Sequence, residues 1–469
     1  MNRVSNRGAR PTPDRIEGDS NLSARRRAWA EANLPAATRA LIDEDARYFL
    51  HQSLSSPCLN VIRKAEGIWV EDASGRRYMD FHGNSVHHIG HGHPRLIEAL
   101  KRQLDELPFA PRRFTAEPAI ALARKLAEIS PEPLGKVLFA PSGSDAIDIA
   151  LKLARAATGR FKTVSFWDSF HGAGFGGSSV GGEATFHSEP AGPLLPGAEH
   201  VAPYTCYRCP YGYRDIDGAP DLETCGMTCA RFVRYVLEKE GDVAAVIGEP
   251  MRAVPYVPPP GFWRSVREAC DDHGALLIFD EIPTGLGKTG RMFACENFDV
   301  VPDILVLGKA LGGGVVPIAA VIARPELDVA GGVALGHYTH EKNPVLCRAA
   351  LTTIEIIEDE GLVDNARNVG ARALGRLREM KRRHPLVGDV RGLGLLMGVD
   401  LVEDRDTKTP ALDAGESILY RALDKGLSLK RTMGSVLTLT PPLTITNAEM
   451  DTALDILDEC LADEEAAPG

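Results

Sequence analysis

Apolar residues fall along this chain in two rhythms. Short unbroken runs stand at Lys136–Ala140, 162–167, 242–247, 275–279, 303–307 and 317–323. They lack the alternation of a half-exposed strand and predict strands buried on both faces. Between and around them, apolar residues three and four apart predict helices over 94–107, 117–129, 147–157 and 263–273. Pro94 and Pro118 suit first turns. Buried strands alternating with helices predict an α/β fold with a mostly parallel sheet.

The flanks read differently. Residues 22–46 carry helical patterning, and 67–81 predict two strands joined by a turn at Ser74-Gly75. After 345 come helices over 345–358, 365–383 and 447–461, with strands over 387–399 and 436–439. These strands are short and separate, so a second, smaller α+β domain is expected, built from the N- and C-terminal segments. The expected division is 1–85 for an arm and part of the small domain, 86–345 for the large domain, and 346–469 for the rest of the small one. The glycine-rich stretch 172–182 predicts a mobile loop, and 190–222 a long irregular segment.

Composition narrows the class. The chain has 469 residues, 44% hydrophobic and 25% charged, which is ordinary for a large soluble globular protein. A net charge of −11 argues against general nucleic-acid binding. No apolar run approaches the ~20 residues of a membrane span. The polar N-terminus lacks a secretory pattern, and residues 1–19 predict a disordered or loosely docked arm. Nine scattered cysteines fit a reducing cytoplasm better than a disulfide framework.

Candidate chemistry gathers at strand ends. The run at 275–279 ends in Asp280-Glu281, and the run at 303–307 leads to Gly308-Lys309. Open α/β sheets bind ligands at such ends. A desolvated lysine is a nucleophile toward carbonyls, and an aspartate can pair with a pyridinium nitrogen. Together they are the protein's half of pyridoxal phosphate (PLP) chemistry. Pro141-Ser142-Gly143-Ser144 joins a strand to a helix, an arrangement that offers free N–H groups to a phosphate. Phe170 follows a strand, where it could stack on a flat ring, and Glu249 is a third acid at a strand end. Thr284-Gly285-Leu286-Gly287-Lys288-Thr289 resembles the end of a nucleotide-binding P-loop, but Ile282 stands where that loop needs glycine, and Pro283 follows. His87, His88, His91 and His93 sit in a glycine-rich setting that predicts a turn rather than a metal site. Cys206, Cys209, Cys225 and Cys229 have spacing near zinc patterns, but reduced thiols in a long insertion are the preferred reading, and no metal ligand is assigned.

In order, PSGSDA at Pro141, FHG at Phe170, GEP at Gly248, DE at Asp280, LGK at Leu307 and THEKNP at Thr339 resemble the class III aminotransferases of PLP fold type I. The resemblance runs from about residue 66 to 461. It implies PLP as cofactor, with Gly143 and Ser144 on its phosphate, Phe170 and His171 at the ring, Asp280 on the ring nitrogen and Lys309 as covalent anchor and base. Glu249 matches an active-site acid. Thr339 would reach the cofactor of a neighbouring subunit, implying a homodimer. Two positions depart from the family pattern. Pro283 stands where many members have glutamine, and Thr438 where aminotransferases often carry a carboxylate-gripping arginine. A hydroxyl cannot replace a bidentate guanidinium. This points to members that release ammonia from small phosphate- or phosphonate-bearing amines, with an ω-aminotransferase, or a non-catalytic binding protein of the same fold, as the alternatives. The runs around 107–114, 279–283 and 336–344 resemble ammonia-lyases of hydroxylated aminoethylphosphonates most. Arg112, Arg113 and His340 are then candidates for the phosphonate.

Overall fold

A computed structural model describes residues 22–52, 55–56, 58–187, 191–216 and 219–467. The expected arm over 1–19 lies outside them. Seven strands form the central sheet, in the order Lys136–Ala140, Ala319–Ala323, Ile304–Leu307, Leu276–Asp280, Val243–Gly248, Lys162–Phe166 and Ala198–Val201. The pairings among the last five are parallel. Only Ala319–Ala323 runs against its neighbours.

Unbroken apolar runs arise because both faces of this sheet are covered. Successive residues alternate between two cores. Ala245, Ile247, Ile278 and Val306 pack in the core that holds the buried face of the helix Gly143–Thr158. Val246, Leu277, Phe279 and Leu305 pack in the core that holds Trp263 and Val266 of the helix Phe262–His273. Asp303 locks the entry to one strand. It accepts Leu277 N–H at 2.7 Å and ion pairs from Arg267 and Arg324.

The terminal segments meet in smaller sheets. Ile62–Glu66, Trp69–Asp72 and Arg77–Asp80 form a meander, and Leu427–Ser428 adds to it in parallel beside Met79 and Asp80. Gly75, at φ +87, turns the predicted hairpin. Val387–Leu393, Leu396–Asp404, Val436–Leu439 and Lys430–Thr432 form a second antiparallel sheet. The closing helices are Leu362–Arg383, Leu412–Asp424 and Asn447–Glu465.

Several elements differ from the sequence pattern. The glycine-rich stretch is not a mobile loop: it holds the helix Phe175–Val180, buried from Gly177 to Val180. Its glycines allow close packing. A Cβ at Gly176 would stand 2.0 Å from Asp148 Oδ1, and one at Gly177 2.6 Å from the His171 carbonyl. The stretch expected to be irregular contains Ala198–Val201, an edge strand of the large sheet. Residues 22–46 form two helices, Ala24–Asn33 and Ala36–Tyr48, with Pro35 at the break. The helix expected from 147 begins at Gly143, because Ser142 caps it by accepting Asp145 N–H. No described helix is long and apolar enough to cross a membrane.

Candidate active site

Three cavities meet at Lys309. The lysine follows the strand Ile304–Leu307 in a 3-10 turn, with φ +43. A non-glycine residue in the left-handed region is uncommon, and such strain concentrates at functional sites.

One cavity, of about 590 Å³ counted to its open mouth, brings together Gly143, Ser144, Phe170, His171, Glu249, Asp280 and Lys309. Asp280 is buried and fixed at both oxygens: Oδ2 lies 2.8 Å from His171 Nδ1, and Oδ1 accepts Ile282 N–H. His171 is 1% exposed, and its Nε2 has no hydrogen-bond partner. Glu249 Oε2 accepts Ala253 N–H, while Oε1 faces Arg252 Nε at 3.8 Å. Pro283 also lines this wall and offers no donor.

The phosphate end follows from the helix Gly143–Thr158. Its first backbone N–H groups have no partner within the helix and lie at the positive end of its dipole. Glycine leaves close contacts on both sides of this corner. A Cβ at Gly143 would meet Ile282 at 2.8 Å, and one at Gly172, where φ is +115, would meet Ser144 Oγ at 2.6 Å. Ser144 Oγ accepts Ala173 N–H, which ties the two turns together. A helix N-terminus, an aromatic ring, a buried aspartate with its histidine and a lysine therefore surround one cavity. This donor set fits PLP.

The second cavity, about 1500 Å³ to its mouth, continues from Lys309 past Phe170 toward the N- and C-terminal segments. Arg26, Lys430, Ser428, Thr438 and Thr440 line it, and no carboxylate does among the described residues. Sequence reasoning missed Arg26 and Lys430, since nothing local marks them. Arg112, Arg113 and His340 are exposed and line none of the three cavities. Arg112 Nη2 instead lies 2.7 Å from His337. Thr339 is exposed and likewise lines none of them in this chain.

The histidines of 87–93 have structural partners. His88 Nε2 meets the Gly285 carbonyl, His91 Nε2 meets Asp80 Oδ2 at 2.9 Å, and His87 Nε2 meets the Asp80 carbonyl. Burial pushes His87 down to about 4. Asp80, His87 and His91 are the only three potential metal donors within 4.8 Å of one another among the described residues. The Asp80 carboxylate is committed to His91 and to the N–H groups of His82 and Gly83. The lysine of the P-loop look-alike, Lys288, is fully buried and donates to the Pro441 carbonyl.

The model for class-III aminotransferases matches residues 51–461. The chain is 46% identical over 456 residues to the (R)-1-hydroxy-2-aminoethylphosphonate ammonia-lyase of Vibrio splendidus, covering 96% of this chain and 95% of that protein. It is 39% identical to the leucine/methionine racemase of Thermococcus litoralis, over 91% and 96%. A PLP-bound amine transaminase from an uncultivated Pseudomonas species superposes with a TM-score of 0.82 at 32% identity, over 89% of this chain and 98% of that one. A Bacillus anthracis aminotransferase gives 0.83 at 33%, over 91% and 98%. Aminotransferases, racemases and a lyase thus share this architecture. The chain belongs to the class-III aminotransferase family and is a PLP-dependent enzyme of fold type I.

Proposed function

We propose that the protein is an ammonia-lyase that converts (R)-1-hydroxy-2-aminoethylphosphonate to phosphonoacetaldehyde and ammonia. The carrying observation is the cation-lined cavity that runs from Lys309. Its wall has Lys430 paired in register with Thr438 across two antiparallel strands. The family's carboxylate-gripping arginine is absent at Thr438, and a lysine stands on the opposite strand. Arg26 comes from the N-terminal helix Ala24–Asn33. Arg26 and Lys430 beside Lys309, several hydroxyls and no carboxylate among the described lining residues suit a phosphonate dianion. The 46% identity to the Vibrio splendidus lyase supports the same reading.

The proposed roles follow from position. Gly143 and Ser144 bind the cofactor phosphate, and Phe170 covers the ring. His171 holds Asp280, which keeps the ring nitrogen protonated. Bound PLP supplies the electron sink for charge developing at the amine-bearing carbon. Lys309 Nζ removes the proton from that carbon. Lys309 returns that proton as the hydroxyl of the neighbouring carbon leaves as water, one water is taken up again on hydrolysis of the product, and ammonia departs. The balance needs no amine acceptor. The same reading makes the protein a cytoplasmic homodimer, with Thr339 serving the partner's cofactor.

The test is turnover of this aminophosphonate without any keto acid. Multiple turnovers with ammonia release are expected. Arg26→Ala and Lys430→Ala should each raise KM about tenfold or more, the scale of one lost charged hydrogen bond. A single turnover, restored by pyruvate, would refute the lyase and favour an ω-aminotransferase.

A further inference from the structure

The four cysteines of the 206–229 excursion stand apart from the chemistry above. Cys206 and Cys209 follow the edge strand Ala198–Val201, at the start of an excursion with little regular structure. Cys225 ends the one-turn helix Leu222–Cys225, and Cys229 lies in the first turn of the helix Thr228–Glu240. The fold returns both pairs to one cavity, which Cys206, Cys209, Cys225 and Cys229 all line. All four are free thiols and partly buried. We infer that this cavity is a structural zinc site with four cysteine ligands.

Two independent observations converge on this assignment. The spacing is C-x2-C, fifteen residues, then C-x3-C, close to the paired arrangement of structural zinc ligands. The tertiary structure then brings both pairs to one small hollow. No three of the four sulfurs lie within 4.8 Å of one another, and the proposed ion would draw them together.

Four thiols lining one cavity are a donor set for a cation. Thiolates gathered here repel one another and lose water. A divalent cation removes both penalties and displaces the thiol protons. Zinc is the soft, redox-inert ion that takes four thiolates tetrahedrally.

The site would also brace the active site. Tyr204, two residues before Cys206, lines the same cavity and donates its hydroxyl to the carbonyl of Glu249 in the PLP cavity. On the other side, Arg208 forms an ion pair with buried Asp400, and Lys408 Nζ donates to the Tyr207 carbonyl. The cysteine loop is therefore stitched both to the large sheet and to the sheet of the C-terminal segment.

Full-length holoenzyme, purified without added chelator, should contain one zinc per chain by elemental analysis. Protein refolded with cobalt alone should show the visible d–d bands of a tetrahedral thiolate site. Cys209→Ser should lose the metal and lower the thermal midpoint, and PLP should still bind. Should that variant fail to fold, the cobalt spectrum of the unaltered chain decides. Protein without zinc or iron and without cobalt bands, or with a disulfide among these four residues, would overturn the assignment. Iron instead of zinc would also overturn it.

Discussion

Replacing Lys288 by methionine should reverse its effect on stability between acid and alkaline pH. Lys288 is 0% exposed. Burial pushes its ammonium group down from 10.5 to about 7, partly opposed by the charge of Asp80. At 1.36 kcal/mol per unit, the charged form costs the folded state about 5 kcal/mol. The folded value lies below the unfolded one, so between about pH 7 and 10.5 the unfolded chain binds the extra proton and stability rises with pH. Below pH 7 the full cost is present; above 10.5 it is gone. Methionine keeps the apolar stem and never carries charge. It also leaves the Pro441 carbonyl, now bonded at 2.7 Å, without a donor, at about 1–3 kcal/mol. Lys288→Met should therefore be more stable than the parent by about 2–4 kcal/mol at pH 6, and less stable by about 1–3 kcal/mol near pH 10.5. Thermal midpoints of both holoenzymes at saturating PLP, from pH 6 upward, measure the difference. Titrations common to the two proteins cancel in it. A difference that does not change with pH, or that favours the parent at pH 6, would refute the buried-ammonium argument.

Gly177→Ala places a Cβ 2.6 Å from the His171 carbonyl and 3.1 Å from Gly172. It should cost about 1–3 kcal/mol by overpacking, and cofactor titration should show weaker PLP binding, since His171 and Gly172 line that cavity. Asp280→Asn should keep the fold by circular dichroism and lose about 100-fold or more in kcat. His171→Ala should act through Asp280, so the double variant should be little worse than Asp280→Asn alone, a non-additivity read from a kinetic cycle. Thr339→Ala should leave the isolated chain's stability unchanged and weaken PLP retention; unchanged retention would remove Thr339 from a shared site.

The sequence alone determined the buried strands and the chemistry at their ends. Runs such as 275–279 and 303–307 are apolar at every position because both faces of the sheet are covered, and a charged residue at the end of such a run is visible at once. Asp280, Lys309 and the turn at Gly143-Ser144 were legible for this reason. The sheet brings them to one cavity without further information. What the pattern could not give was apposition between distant segments. Arg26 reaches the cavity from a helix more than 280 residues before Lys309, and Lys430 faces Thr438 only through strand register. Arg112 and Arg113, conspicuous in sequence, stay at the surface. The glycines of 172–182 looked like a flexible loop because composition alone cannot separate freedom from crowding. In the fold, absent side chains let the helix Phe175–Val180 close on Asp148 and His171. The four cysteines have their spacing in the sequence, but only the return of the excursion places them around one cavity. Local periodicity records which face of an element is buried; which distant residues share that burial is decided by packing and register.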